Sequence, residues 1–85
     1  MKTITGLIAI NDNRKSFYDK AKVITDGKII KLQSYNTIVA KINGGKARII
    51  EIRSDTTLRH IKEFLFQQGF KIGTKKFLIE TYMDT

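Results

Sequence analysis

Asp26-Gly27 stands between two runs in which apolar and polar residues alternate, and this constrains the fold more tightly than any other short stretch. The pair favours a two-residue hairpin turn, because both central positions of such a turn require φ > 0. A turn centred there sets Val23 opposite Ile30, Ala21 opposite Leu32, Ile24 opposite Ile29 and Lys22 opposite Lys31. Successive side chains of a strand point to opposite faces. One face of the hairpin then carries Ala21, Val23, Ile30 and Leu32, and the other carries Lys20, Lys22, Ile24, Ile29 and Lys31.

A second hairpin turns through Asn43-Gly44-Gly45. Either Asn43-Gly44 or Gly44-Gly45 can form its centre, and both give the same facing parity. Ile38, Ala40, Ile42, Ala47 and Ile49 share one face, and Val39, Lys41, Arg48, Ile50 and Ile52 share the other. Glu51 falls on the apolar parity, so it belongs past the end of the core or at a bulge.

Outside the hairpins, residues Thr3 to Ile10 read as a β-branched first strand interrupted by Gly6, and Asn11 to Lys15 as a polar turn. Phe17 and Tyr18 lead into the second strand. Ser54-Asp55-Thr56-Thr57 is an N-cap cluster, and a helix is predicted from about Thr56 to Gln68. Leu58, Ile61, Phe64 and Leu65 form its apolar stripe, while Phe66 lies off that stripe beside Arg59 and Lys62. Gly69 suits the C′ position and Phe70 the hydrophobic contact of a Schellman cap. A last strand is predicted at Phe77 to Tyr82. The expected fold is therefore α+β: one domain over residues 1–85, a small twisted antiparallel sheet of five to six strands with one α-helix on one face.

A chain of 85 residues buries only about 60–65% of its unfolded surface, so its stability is modest. There is no cysteine, hence no disulfide and no thiolate metal site. The apolar run Leu7 to Ile10 is far shorter than a signal h-region, and nothing approaches the roughly 20 apolar residues of a membrane span. A soluble intracellular protein of the cytoplasm, without membrane partners, is expected.

Catalytic and metal chemistry find little support. His60 is the single histidine, and no spacing resembles a zinc or calcium site. It reads as a surface or packing residue of the helix. Ser54 and Asp55 beside it are better explained as helix caps than as members of a triad. Gly44-Gly45-Lys46 lacks the Walker spacing and reads as a turn, and Gly73-Thr74-Lys75-Lys76 reads as a solvated loop. The chain is expected to be no enzyme and to need no cofactor.

Charge carries the positive signal. Sixteen Lys and Arg against eight Asp and Glu give +8 at pH 7, which favours anionic partners. Lys20, Lys22, Lys31, Lys41 and Arg48 share the predicted outer faces with Ile24, Ile29, Val39, Ile50 and Ile52, and Arg59 and Lys62 extend the basic set onto the helix. These residues are the candidate partner-binding site. The pattern suits a polyanion, whose phosphates shed counterions on contact. It also suits a protein interface with aliphatic anchors and a charged rim, or a homodimer that covers the aliphatics. Single-strand binding usually rests on stacked aromatic rings, and the predicted strands of this face hold none.

Ser34-Tyr35-Asn36-Thr37-Ile38-Val39-Ala40 and Thr56-Thr57-Leu58-Arg59-His60-Ile61-Lys62-Glu63-Phe64-Leu65 resemble the pattern of a family of short uncharacterised proteins found in bacterial phages and mobile elements. The shared features are a Ser-Tyr-x-Thr-x-Val-Ala strand, a variable hairpin and a Thr-Thr-x-Arg-His-Ile-x-Glu-Phe-Leu helix, over roughly Phe17 to Phe70. The family brings no activity to carry over. What the resemblance implies is context: an accessory protein acting on nucleic-acid machinery. An anti-CRISPR-type inhibitor of an effector nuclease is the leading expectation for such a chain. A direct DNA- or RNA-binding accessory protein and a dimeric interaction module are the alternatives.

Overall fold

A computed structural model describes residues 2–7 and 20–83. Five strands, β1 (Lys2–Gly6), β2 (Ala21–Asp26), β3 (Ile29–Ser34), β4 (Thr37–Asn43) and β5 (Lys46–Ile49), form one antiparallel meander in sequence order. Helix α1 (Asp55–Gln67) follows, then a short helix α2 (Lys75–Leu78) that continues into a π-helical turn, Ile79–Met83. The expected α+β architecture holds, with five strands and two helices. The first strand ends at Gly6, and the readings of residues 8–19, including the turn at 11–15 and Phe17-Tyr18, lie outside the described residues.

The first hairpin is displaced by one turn position from the sequence reading. Asp26 pairs with Ile29, so Gly27-Lys28 forms the centre. Gly27 takes φ 64° and Lys28 stays at negative φ, the sign pattern of a II′ turn, which asks for glycine only at its first central position. Val23 therefore faces Leu32, Ile24 faces Lys31, and Lys22 faces Gln33 rather than Lys31. Because the shift is two residues, every side chain keeps its face. In the second hairpin Asn43 pairs with Lys46, and Gly44 and Gly45 sit at φ 61° and 82°. Two successive positive φ angles make a I′ turn, where a side-chain-bearing pair would be strained.

A bulge changes the parity within β4. Leu32 pairs with Ala40 but Gln33 pairs with Ile38, leaving Val39 as the extra residue. Val39 is fully buried, whereas Ile38 falls beside Gln33 on the outer face, the reverse of the expected assignment. The Val39 carbonyl accepts from Ile50 N–H at 2.7 Å and, more weakly, from Glu51 N–H at 3.4 Å. Glu51 thus lies beyond the end of β5, which explains its misfit. Ile52, expected on the outer face, instead packs partly buried against the core.

The inner face, with Leu32, Ala40, Ile42 and Ile49, forms a single core with Ile61, Phe64 and Leu65 of α1 and with Leu78 and Tyr82. Ser54 caps α1 by accepting from Thr57 N–H. At the other end Phe70 N–H donates to Leu65 carbonyl at 2.9 Å and Gly69 N–H to Phe66 carbonyl at 3.1 Å, the paired bonds of the expected Schellman motif.

Residues 77–82 are helical, not a strand. Thr74 Oγ1 accepts from Phe77 N–H and Thr74 carbonyl from Leu78 N–H, which starts a turn of helix. Phe77 and Ile79 are on the exposed side, while Leu78 and Tyr82, four apart, enter the core. Tyr82 OH donates to Lys71 carbonyl at 2.7 Å. Burial pushes that phenol above its ordinary value, so it stays a neutral donor. No helix among the described residues is long and apolar enough to cross a membrane.

Candidate functional site

The sheet face away from α1 is built by parity. Ile4, Ile24, Lys31, Lys41 and Arg48 are successive cross-strand partners and form one file over all five strands. Neighbouring strands lie about 4.8 Å apart, so the backbones of the three cationic positions span about 10 Å. Lys22 lies on the same face diagonal to Lys31, in the file of Gln33 and Ile38. Lys46 shares that face with Arg48, two residues along β5. The sequence reading omitted it, although its parity with Arg48 was available once Gly44-Gly45 is taken as the turn centre.

Lys41 and Arg48 line two shallow hollows, of about 190 Å³ with Ile50 and Met83, and of about 280 Å³ with Asn43 and Lys46. Among the described residues, neither Lys31, Lys41 nor Arg48 has an acidic partner. Among the described strand residues, the acid on this face is Asp26, in the adjoining file between Lys2 and Ile29. Like charges side by side on adjacent strands repel, so the file is an arrangement that a bound anion would relieve. The aliphatics between the cations are partly covered. Ile24 is only 7% exposed, Ile29 and Ile38 are half-buried, and Ile4 and Ile50 are open.

The remaining candidates go elsewhere. Lys20 precedes β2, and its Nζ lies 5.8 Å from the centre of the Tyr35 ring. Arg59 and Lys62 occupy the side of α1 away from its buried residues Ile61, Phe64 and Leu65, so the domain separates them from the sheet file. The fold thus brings together Lys22, Lys31, Lys41 and Arg48 and divides them from the helix pair.

A second polar centre was not foreseen. Ser34 Oγ meets His60 Nδ1 at 2.8 Å and Thr57 Oγ1 at 3.5 Å, and Thr57 Oγ1 meets Ser54 Oγ at 3.3 Å. The two stretches singled out in the sequence, 34–40 and 56–65, therefore meet through side chains 26 residues apart. A serine beside a histidine invites a nucleophilic reading, but Ser34 is 3% and His60 1% exposed. A nucleophile must reach its substrate. The bond instead ties α1 to the end of β3, and His60 is a packing histidine. Glu63 of α1 is also buried and accepts from Gln67 Nε2 at 2.8 Å.

Between β3 and β4 the chain reverses at Tyr35-Asn36, with Tyr35 at φ 58°. A non-glycine residue there costs on the order of 1–2 kcal/mol. No glycine marks this turn, so the sequence did not signal it. Its surroundings restrain Tyr35. Tyr35 N–H donates to Lys20 carbonyl at 2.7 Å, Gln33 Nε2 donates to Tyr35 carbonyl at 2.9 Å, and the ring lies 6.0 Å from that of His60. No group of His, Cys, Asp and Glu among the described residues could hold a metal ion.

The chain belongs to a family of unknown function (DUF8033), whose model matches residues 5–80. No curated protein and no solved structure matches it.

Proposed function

We propose that this member of the DUF8033 family is a small non-enzymatic modulator that docks its basic sheet face on host nucleoprotein machinery, in the manner of an inhibitor of an effector nuclease encoded by a phage or mobile element. The observation that carries the reading is the file Lys31–Lys41–Arg48, three cations in register on adjacent strands. Such a file meets phosphates by counterion release, and the aliphatics beside it give a protein surface something to pack on. A nucleoprotein offers both chemistries. Bare single-stranded nucleic acid offers fewer contacts, because stacking rings are missing from the strands of this face.

Immobilised protein is expected to retain a protein–nucleic acid complex from host lysate at physiological salt. Deproteinised RNA and DNA from that lysate should wash off. Retention of bare nucleic acid as firmly as the complex, with affinity falling steeply along a salt series, would establish direct nucleic-acid binding instead. Retention of neither would reject both readings.

A further inference from the structure

The Tyr35-Asn36 turn, Arg53 and the start of α1 border a concave hollow of about 430 Å³, more than either hollow beside Lys41 and Arg48. Its volume falls in the range of small-molecule sites, roughly 300–1,000 Å³. Ser34, Thr37, Ser54 and Thr57 line it, the hydroxyls of Ser34 and Ser54 each approach that of Thr57, and no carboxylate is among its lining residues. The hydroxyls of Thr37 and Ser54, which are not buried, are each both donor and acceptor, so they adjust their protons to what they meet.

Arg53 supplies the charge. Its Nη1 donates to Thr37 Oγ1 at 3.0 Å, and it has no other hydrogen bond or ion pair among the described residues. The guanidinium fork is therefore held at one corner, with its other N–H groups left for a ligand. A fixed fork matches the paired oxygens of a phosphoryl group. The wall behind it is rigid, because Ser34 and Thr57 are buried and Ser34 is bonded to His60. Tyr35 and Asn36 of the turn line another side.

From this geometry we infer that the hollow is a phosphoryl-binding site, with Arg53 gripping the anion and the hydroxyls of Thr37 and Ser54 completing its shell. It shares no residue with the Lys31–Lys41–Arg48 file, so it stands or falls independently of the docking face. The phosphoryl group could be free phosphate or the terminus of a nucleotide.

The test is an amide chemical-shift titration of the full chain with inorganic phosphate and, separately, with uridine monophosphate. Saturable shifts are expected at residues 34–37 and 53–57. Arg53→Gln should weaken binding at least about tenfold, because a charge-assisted fork is lost. Arg53→Lys should also bind more weakly than the parent, since the charge stays and the fork goes. Lys41→Gln with Arg48→Gln should leave the affinity unchanged. Equal affinity for both ligands identifies the phosphoryl group as the recognised part, and tighter nucleotide binding adds contact with the Tyr35 ring. Wild-type affinity in a folded Arg53→Gln protein, or no saturable shift around the hollow with either ligand, overturns the inference.

Discussion

Lys31→Glu, Lys41→Glu and Arg48→Glu together are expected to abolish docking on the nucleoprotein while the domain stays folded. These side chains lie in one file on adjacent strands, so an anion that meets one meets all three. Neutralising a phosphate contact lowers the log–log salt slope by about one. Losing three contacts lowers it by about three, and reversal adds repulsion on top. Affinity should fall by at least about a hundredfold at physiological salt, read as retention from lysate or by titration of the purified complex. The fold should tolerate the change because all three positions are on the face away from α1, and the repulsion among them is replaced by repulsion of similar size. Lys62→Glu, on the far side of α1, should leave docking within a few-fold of the parent. A folded triple variant that docks like the parent would remove the sheet face from consideration.

Phe64→Ala should be the most damaging single substitution to stability. The residue is fully buried in the core that α1 shares with the sheet. Truncation loses its transfer free energy and leaves a cavity, at a cost of about 3–5 kcal/mol. A domain of 85 residues has a total stability of about 4–13 kcal/mol at typical values per residue. The variant should therefore melt at least about 12 °C lower, and be partly unfolded at growth temperature. Phe66→Ala two positions along, at 46% exposure, should change stability by less than about 0.5 kcal/mol. Equal losses at the two positions would mean that α1 does not present the face described here.

What was legible in the sequence was parity, and it survived an error of register. The first hairpin turns at Gly27-Lys28 rather than Asp26-Gly27, yet a slip of two residues returns each side chain to its own face. Lys22, Lys31, Lys41 and Arg48 are accordingly where alternation put them. The Schellman end of α1 was also readable, because Gly69 and Phe70 are local signals. The Val39 bulge was not, since Ile38-Val39-Ala40 is apolar throughout and nothing in it marks the extra residue. At Phe77-Leu78-Ile79 a short apolar run fits either period, and the helical choice depends on Leu78 and Tyr82 reaching the same core. Ser34 and His60 are brought together by tertiary packing alone, so the hollow they support had no local signature. Arg59 and Lys62 were grouped with the sheet by charge, and the layer between helix and strands separates them.

The most direct test is a comparison of the two cationic surfaces within one molecule. A short single-stranded RNA added at low salt should bind weakly and shift the amides and side-chain signals of Lys31, Lys41, Lys46 and Arg48, with the shifts fading as salt rises. Signals of Arg59 and Lys62 should stay put. If the largest shifts fall on Arg59 and Lys62 and the sheet file is silent, the anion-docking surface is the helix, and the reading of the sheet face is wrong.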